Sequence, residues 1–279
     1  MSCSLRYLKL ARGNKELSTQ NVKLADLNIG DGNFSIIAGP CSIESKEQFL
    51  ETAQFVRENG GSLLRGGMFK LRTNPDSFQG LEDQAFQIVK EVKKEVGLPF
   101  ISEVTDPRQI GDMDEVVDAF QVGSRNMHNY ALLKELGNTS KPVLLKRGFA
   151  GLVKEWLLSA EYIRKHGNPN VILCERGIRT FEDATRNTLD LNAVAYVKAN
   201  SDLPIIVDPS HGTGVRELVT PMALAAAAAG ADGIMVEVHP RPSEALSDGF
   251  QALNFDDFKG LTAKLNAILP ALDRKLTFI

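Results

Sequence analysis

The stretch IIVDPSHGTGVRELVTPMALAAAAAGADGIMVE, residues 205–237, contains one full turn of the pattern that organises the chain. A short apolar run, Ile205–Val207, ends in polar and glycine residues. A segment with helical spacing follows from Arg216 to Ala229, and a second apolar run begins at Gly233. Parallel strands need a crossover to pair, and a helix of this length supplies one. Working outward, the same rhythm predicts strands at Phe34–Ala38, Ser62–Leu64, Pro99–Ser102, Ala119–Val122, Val143–Leu145, Val171–Leu173, Ile205–Val207 and Gly233–Val236. Helices are predicted at Lys46–Asn59, Asp83–Val96, Tyr130–Leu136, Val153–Lys165, Arg186–Ala199, Arg216–Ala229 and Phe255–Ile268. Strands that each lead into a helical stretch, eight in all, predict an α/β fold, a (β/α)8 TIM barrel spanning residues 34–279 as one domain. Residues 1–33 fit no such unit. Asn21–Ile29, then Gly30-Asp31-Gly32-Asn33, then Phe34 onward read as a β-hairpin extension that turns into the first barrel strand and plugs the barrel bottom.

Composition narrows the function. The 279 residues carry 32 Lys+Arg against 35 Asp+Glu, a formal charge of −3. A nucleic-acid or anionic-membrane surface needs a basic excess, which this balance does not supply. Cys3, Cys41 and Cys174 form an odd set without framework spacing, as expected in a reducing compartment. The N-terminal MSCSLRYLKLARGNKEL lacks an uninterrupted apolar core, and no apolar run is long enough for a bilayer, so a cytoplasmic location is expected.

In a barrel of this type the chemistry gathers where the strands end. Those positions are heavily charged here: Arg65, Lys70 and Arg72 after the second strand, Arg125 after the fourth, Lys146 and Arg147 after the fifth, and Glu175 and Arg176 after the sixth. One such cation reads as a solvated loop charge or a structural ion pair. Cations from four strands around one mouth would repel unless a polyanion balances them, so the cluster points to a phosphate-bearing substrate. A second set occupies the remaining strand ends: Cys41 after the first, His211 after the seventh, Glu237 on the eighth, and Asp248 beyond it. A thiolate, an imidazole and two carboxylates suit a divalent metal such as Mn²⁺, Fe²⁺, Co²⁺ or Zn²⁺. Gly212-Thr213-Gly214 before a helix could hold a phosphate but lacks the P-loop ending. Cys174 reads as barrel-wall packing, and His239 as lying outside the metal set.

At these residues the chain resembles the family of 3-deoxy-D-arabino-heptulosonate 7-phosphate (DAHP) synthases and 3-deoxy-D-manno-octulosonate 8-phosphate synthases. The resemblance runs over roughly residues 34–258 and is carried by IAGPCSIES (37–45), LRGGMFKLRT (64–73), SFQG (77–80), QVGSRNM (121–127), VLLKRG (143–148), ILCERGIRTFE (172–182), IVDPSHGTG (206–214) and MVEVHP (235–240) with ALSDG (245–249). KLRT, DPSHGTG and TRNTLDLNAV (185–194) are more similar to the short microbial DAHP synthases. The resemblance implies an aldol-type condensation of phosphoenolpyruvate with erythrose 4-phosphate and water, giving DAHP and phosphate, the first step of the shikimate pathway. It implies a metal, Mn²⁺ foremost, on Cys41, His211, Glu237 and Asp248. Phosphoenolpyruvate would be gripped by Arg65, Lys70, Arg125, Lys146 and Arg176, and the aldose phosphate by Arg72 and Thr73. Lys70 and His211 would move protons, with Cys41 required for activity through the metal. It also implies a homo-oligomer, tetramer or dimer.

Two stretches depart from the family pattern. Leu71, Asn74 and Asp76 stand in a segment that usually reads KPRTS, and Gly148-Phe149-Ala150-Gly151 where a small polar stretch is usual. Both are expected on the acceptor side of the pocket, which keeps open a different aldose phosphate, as in the octulosonate enzymes or specialised metabolism, or a ligand-binding barrel without turnover. The 33 residues before the barrel leave no room for a full added regulatory domain, so control through one is not expected.

Overall fold

The structure is a computed structural model that describes residues 18–71, 74 and 76–278. It begins with a two-stranded antiparallel hairpin, β1 (Val22–Leu24) and β2 (Leu27–Ile29). Then follow β3 (Ser35–Gly39), α1 (Lys46–Glu58), β4 (Leu63–Arg65), α2 (Asp83–Val96), β5 (Phe100–Val104), α3 (Ile110–Asp114), β6 (Ala119–Val122) and α4 (Tyr130–Gly137). The second half comprises β7 (Val143–Lys146), α5 (Val153–Lys165), β8 (Val171–Glu175), α6 (Leu191–Asn200), β9 (Ile205–Val207), α7 (Pro209–Thr213), α8 (Arg216–Ala228), β10 (Gly233–Glu237) and α9 (Phe255–Ile268). Strands β3 to β10 pair in chain order, all parallel, and β10 closes onto β3, with Ile234 opposite Ile36 and Glu237 opposite Gly39.

Alternation along each strand divides two apolar cores, because successive side chains point to opposite faces of a sheet. Ile36, Ala38, Leu64, Phe100 and Phe120 pack outward against the helices. Ile37, Leu63, Ile101, Ala119, Leu144, Ile172, Cys174, Ile206 and Met235 fill the interior. Both faces are dry, which is why the strands read as continuous apolar runs. Helix ends follow local chemistry: Ser45 accepts the Gln48 N–H at the start of α1, and Gly97 ends α2 in the left-handed region at φ 76°.

The hairpin plugs the barrel as expected, through Val22, Leu24, Leu27 and Ile29, which join the interior core. Its turn lies elsewhere than the sequence suggested. The strands reverse at Ala25-Asp26, and Gly30–Asn33 is the connector into β3. Gly-Asp-Gly-Asn is much the better turn sequence, whereas Ala25 must adopt φ 50°; packing of the hairpin's apolar face overrides turn propensity. The C-terminal tail fastens this connector. Arg274 donates to the carbonyls of Gly32, Asn33 and Ala231, and Thr277 N–H donates to the Phe34 carbonyl.

A second correction concerns the helix expected from Arg186. It begins at Leu191, capped by Asp190, and residues 178–188 form a loop closed by the Ile178 and Thr188 backbones. Arg186 is thereby released from a helix face and turned toward the strand ends.

Candidate active site

Each strand end contributes a side chain to one face of the barrel. At the end of β3 the chain turns at Gly39, φ 150°, where a Cβ would fall onto the Arg65 carbonyl. That close approach sends Pro40 and Cys41 over the barrel mouth. The Cys41 thiol is buried, 2.8 Å from Ser247 Oγ and 3.4 Å from Asp248 Oδ2. Burial, then the Glu237 charge, pushes its pKa up to about 11. Asp248 is held at φ 50° in its loop, a conformation that aspartate tolerates better than most residues. Donor atoms of Cys41, Glu237 and Asp248 all lie within 4.8 Å of one another.

Glu237 is surrounded by donors. Arg65 donates to Oε1 at 3.0 Å and Gln251 to Oε2 at 2.6 Å. Burial opposes its ionisation, but the charges of His211, Arg65 and Lys70 outweigh it and bring the pKa down to about 2. His211 Nδ1 lies 2.7 Å from Asp208 Oδ2, and its Nε2 lies 3.4 Å from Glu237 Oε1. Burial pulls the His211 pKa down. In the neutral ring, a proton assigned to Nδ1 by the Asp208 contact leaves Nε2 with a lone pair. Nε2 and the carboxylate oxygen then face each other as two acceptors, an arrangement that a cation between them would satisfy. The expected set of Cys41, His211, Glu237 and Asp248 thus fits a divalent metal in donor chemistry, with His211 beside the 4.8 Å group.

The cations divide into two classes. Arg65, Lys146 and Arg147 each have a buried carboxylate partner: Glu237 at 3.0 Å, Asp208 at 2.6 Å and Glu175 at 2.9 Å. Arg147 also reaches Asp190 at 2.9 Å and does not line the central cavity, so for this residue the structural ion pair is the correct reading. Arg125 and Arg176 have no carboxylate partner among the described residues. Their guanidiniums lie 5.4 and 4.9 Å from the centroid of the Phe149 ring. Burial lowers the Arg176 pKa. Lys70 donates to the Cys41 carbonyl at 3.1 Å.

A cavity of about 270 Å³ joins the two groups. Lys70, Arg125, Lys146 and Arg176 line it together with His211 and Asp248. Arg65 lines an adjoining crevice with Lys70 and Glu103. Arg72 and Thr73 lie outside the described residues. Leu71 and Asn74 line the cavity, and the Phe149 ring touches Arg125 and Arg176, so the Gly148–Gly151 stretch serves the cation side as well as any acceptor side. Gly212 and Thr213 belong to α7, and Gly214 is its left-handed cap at φ 67°, not part of an open anion loop. His239 turns to Glu44, 3.4 Å away, outside the metal set.

Sequence reasoning missed three residues here and, for a fourth, the side of the pocket that it serves. Asp208 binds Lys146 and His211 through the same oxygen, Oδ2, and caps α7 by accepting the His211 N–H. Its carboxyl is held well below the ordinary range: burial opposes this, and the His211 and Lys146 charges win. Gln251 and Arg186 bracket the metal-type carboxylates, with Arg186 2.7 Å from Gln251 Oε1 and 3.7 Å from Asp248. Phe149 is the fourth. An aspartate before Pro209 carries a visible signal, since Asp-Pro starts turns and caps helices; the other three carry none.

The profile of the DAHP synthetase I family matches residues 14–272. A phospho-2-dehydro-3-deoxyheptonate aldolase from Thermotoga maritima is 50% identical over 255 residues, covering 91% of this chain and 75% of that protein. The crystal structure of a DAHP synthase from the same organism superposes with a TM-score of 0.90 at 49% identity, covering 93% of this chain and 76% of that one. A 2-dehydro-3-deoxyphosphooctonate aldolase from Syntrophobacter fumaroxidans is more distant, 31% identical over 255 residues with 85% and 88% covered. Sequence and backbone agree across nearly the whole barrel, and the chain belongs to the DAHP synthetase I family.

Proposed function

We propose that this barrel mouth condenses phosphoenolpyruvate with erythrose 4-phosphate and water to give DAHP and inorganic phosphate. The observation that carries this reading is the single cavity where metal-type donors meet guanidiniums that have no carboxylate partner among the described residues. Phosphoenolpyruvate brings phosphate and carboxylate charges to one end of a small molecule. Arg125 and Arg176, with Lys146 and Lys70, neutralise and orient them, leaving C3 of the enol directed at the aldehyde. Arg65, paired with Glu237 and bordering the adjoining crevice, would add a further donor on the phosphoenolpyruvate side. Arg72 and Thr73, which follow Lys70 in the sequence, would hold the aldose phosphate.

As C3 bonds to the aldehyde carbon, the aldehyde oxygen becomes a hydroxyl and takes a proton. Lys70 is placed to give it, because its ammonium lines the cavity and is fixed on the Cys41 carbonyl. Water adds at C2, and cleavage of the bond between C2 and the bridging oxygen releases phosphate. His211, oriented by Asp208, is the second group able to hold or pass a proton at this point. A divalent metal held by Cys41, His211, Glu237 and Asp248, Mn²⁺ foremost, supplies Lewis-acid polarisation of the carbonyl or activation of the added water when bound.

The chain has no helix, among the described residues, long and apolar enough to cross a membrane; a cytoplasmic homo-oligomer is the form in which we expect it to act. The test is incubation of purified protein with Mn²⁺, phosphoenolpyruvate and either erythrose 4-phosphate or arabinose 5-phosphate. Loss of enolpyruvate absorbance with the four-carbon sugar supports the reading. Faster loss with arabinose 5-phosphate overturns the acceptor, and no loss with either overturns the activity.

A further inference from the structure

The two cavity-lining guanidiniums that lack a carboxylate partner among the described residues come from strand ends that are not neighbours. Arg125 follows β6 and Arg176 follows β8, and β7 runs between them. Phe149 follows β7, and its ring centroid lies within reach of both cations, 5.4 Å from Arg125 and 4.9 Å from Arg176. A third, Arg179, lies 4.6 Å from the same centroid. All three distances fall inside the range in which the negative face of an aromatic ring attracts a cation. Three like charges around one point repel, and before any anion arrives the ring face offsets part of that repulsion, beside the Asp208 and Glu175 charges that act on Arg176.

The ring is held in place by an anchored turn. Gly151 N–H donates to the Gly148 carbonyl, closing residues 148–151. Arg147 Nε donates to the Gly151 carbonyl at 2.8 Å while the rest of its guanidinium is fixed on Glu175 and Asp190. Met127 Sδ accepts the Gly148 N–H at 2.9 Å, and Arg179 N–H donates to the Phe149 carbonyl at 2.7 Å. Gly148 and Gly151 lie against Met127, which leaves little room for a side chain at either position. Arg147, a strand-end cation that does not line the cavity, thus locks the turn that presents the ring. Phe149 itself belongs to neither apolar core and lines the cavity.

We propose that Phe149 is a positioning residue for the donor substrate, its ring holding the Arg125 and Arg176 guanidiniums in the arrangement that receives the phosphate and carboxylate of phosphoenolpyruvate. The assignment rests on the reading of the cavity as a phosphoenolpyruvate site. Affinity gained this way is preorganisation, since the anion need not gather the cations itself. Leucine at 149 keeps apolar bulk but has no ring face, whereas tryptophan and tyrosine keep the face.

Binding of phosphoenolpyruvate measured by calorimetry, together with steady-state kinetics, tests this in wild type, Phe149→Leu, Phe149→Tyr and Phe149→Trp. Phe149→Leu is expected to weaken phosphoenolpyruvate about tenfold and to raise its KM in parallel, with kcat and the aldose KM held within about twofold. Tyr and Trp should stay within about threefold of wild type. Progressively fluorinated phenylalanines at 149, which drain the ring face at nearly constant size, should weaken binding stepwise. Equal affinity across the fluorinated series, or wild-type affinity in Phe149→Leu, overturns the proposal while leaving the donor site standing. Failure of the wild type itself to bind phosphoenolpyruvate overturns the donor site and this role with it.

Discussion

Arg65 and Glu237 meet across the strand that separates them, the guanidinium donating to Oε1 at 3.0 Å, with 5% and 0% of their side chains exposed. Burial alone would pull the arginine pKa down, and the charges of Glu237, Cys41 and Asp208 more than restore it. A pair sealed in this way is costly to break from one side. Arg65→Met strands the Glu237 carboxylate, and we expect a loss of about 3–5 kcal/mol in urea denaturation. Removing both charges in Arg65→Met/Glu237→Met should recover much of that loss while abolishing turnover. A double variant no more stable than Arg65→Met would show that the pair itself contributes little.

Asp208 gives a signed pH dependence. Its folded pKa lies well below the ordinary 3.8, so its stabilising contribution is fully present above that value and fades as pH falls through it toward the folded pKa. Asp208→Asn should therefore cost about 3 kcal/mol near neutrality, by leaving Lys146 buried without its partner, and the gap to wild type should shrink below about pH 4. Denaturation profiles across that interval decide the matter; a gap that widens on acidification would contradict the assignment.

Metal uptake should release a proton. The Cys41 thiol, at about 11, is protonated at neutral pH, and a thiol must deprotonate to become a ligand. Calorimetry in buffers of different ionisation enthalpy should find about one proton released per metal, and Co²⁺ should develop a thiolate charge-transfer band that Cys41→Ser lacks. Co²⁺ binding with no such band would remove Cys41 from the ligand set.

Much of this architecture was legible in the sequence. Every barrel strand falls within two residues of its expected bounds, because a strand covered on both faces must be apolar throughout and polar where it emerges. The strand-end residues were equally visible, since topology alone places them together. What escaped was whatever depends on a partner far along the chain. Asp208 acquires its role from Lys146, 62 positions away, and Gln251 from Glu237 and Arg186. Arg147 looked like its neighbour Lys146, but the side-chain direction that sends one to the cavity and the other to Glu175 is set by the turn after β7. Phe149 was expected on the acceptor side of the pocket, and nothing local shows the arginines that reach its ring from other loops.

The hairpin offers a direct measure of its own weight. Leu24→Ala would leave a void against the barrel interior, and we expect a loss of about 2–5 kcal/mol by thermal or chemical unfolding. Lys23→Ala, on the exposed face of the same strand, should shift stability by less than about 0.5 kcal/mol.

Because Val22, Leu24, Leu27 and Ile29 join an interior already filled by Ile37, Leu63, Ile101, Leu144, Ile172, Ile206 and Met235, the cylinder is a solid plug and not a pipe. Nothing can pass along its axis, so reactants and products have to share the rim formed by the strand ends.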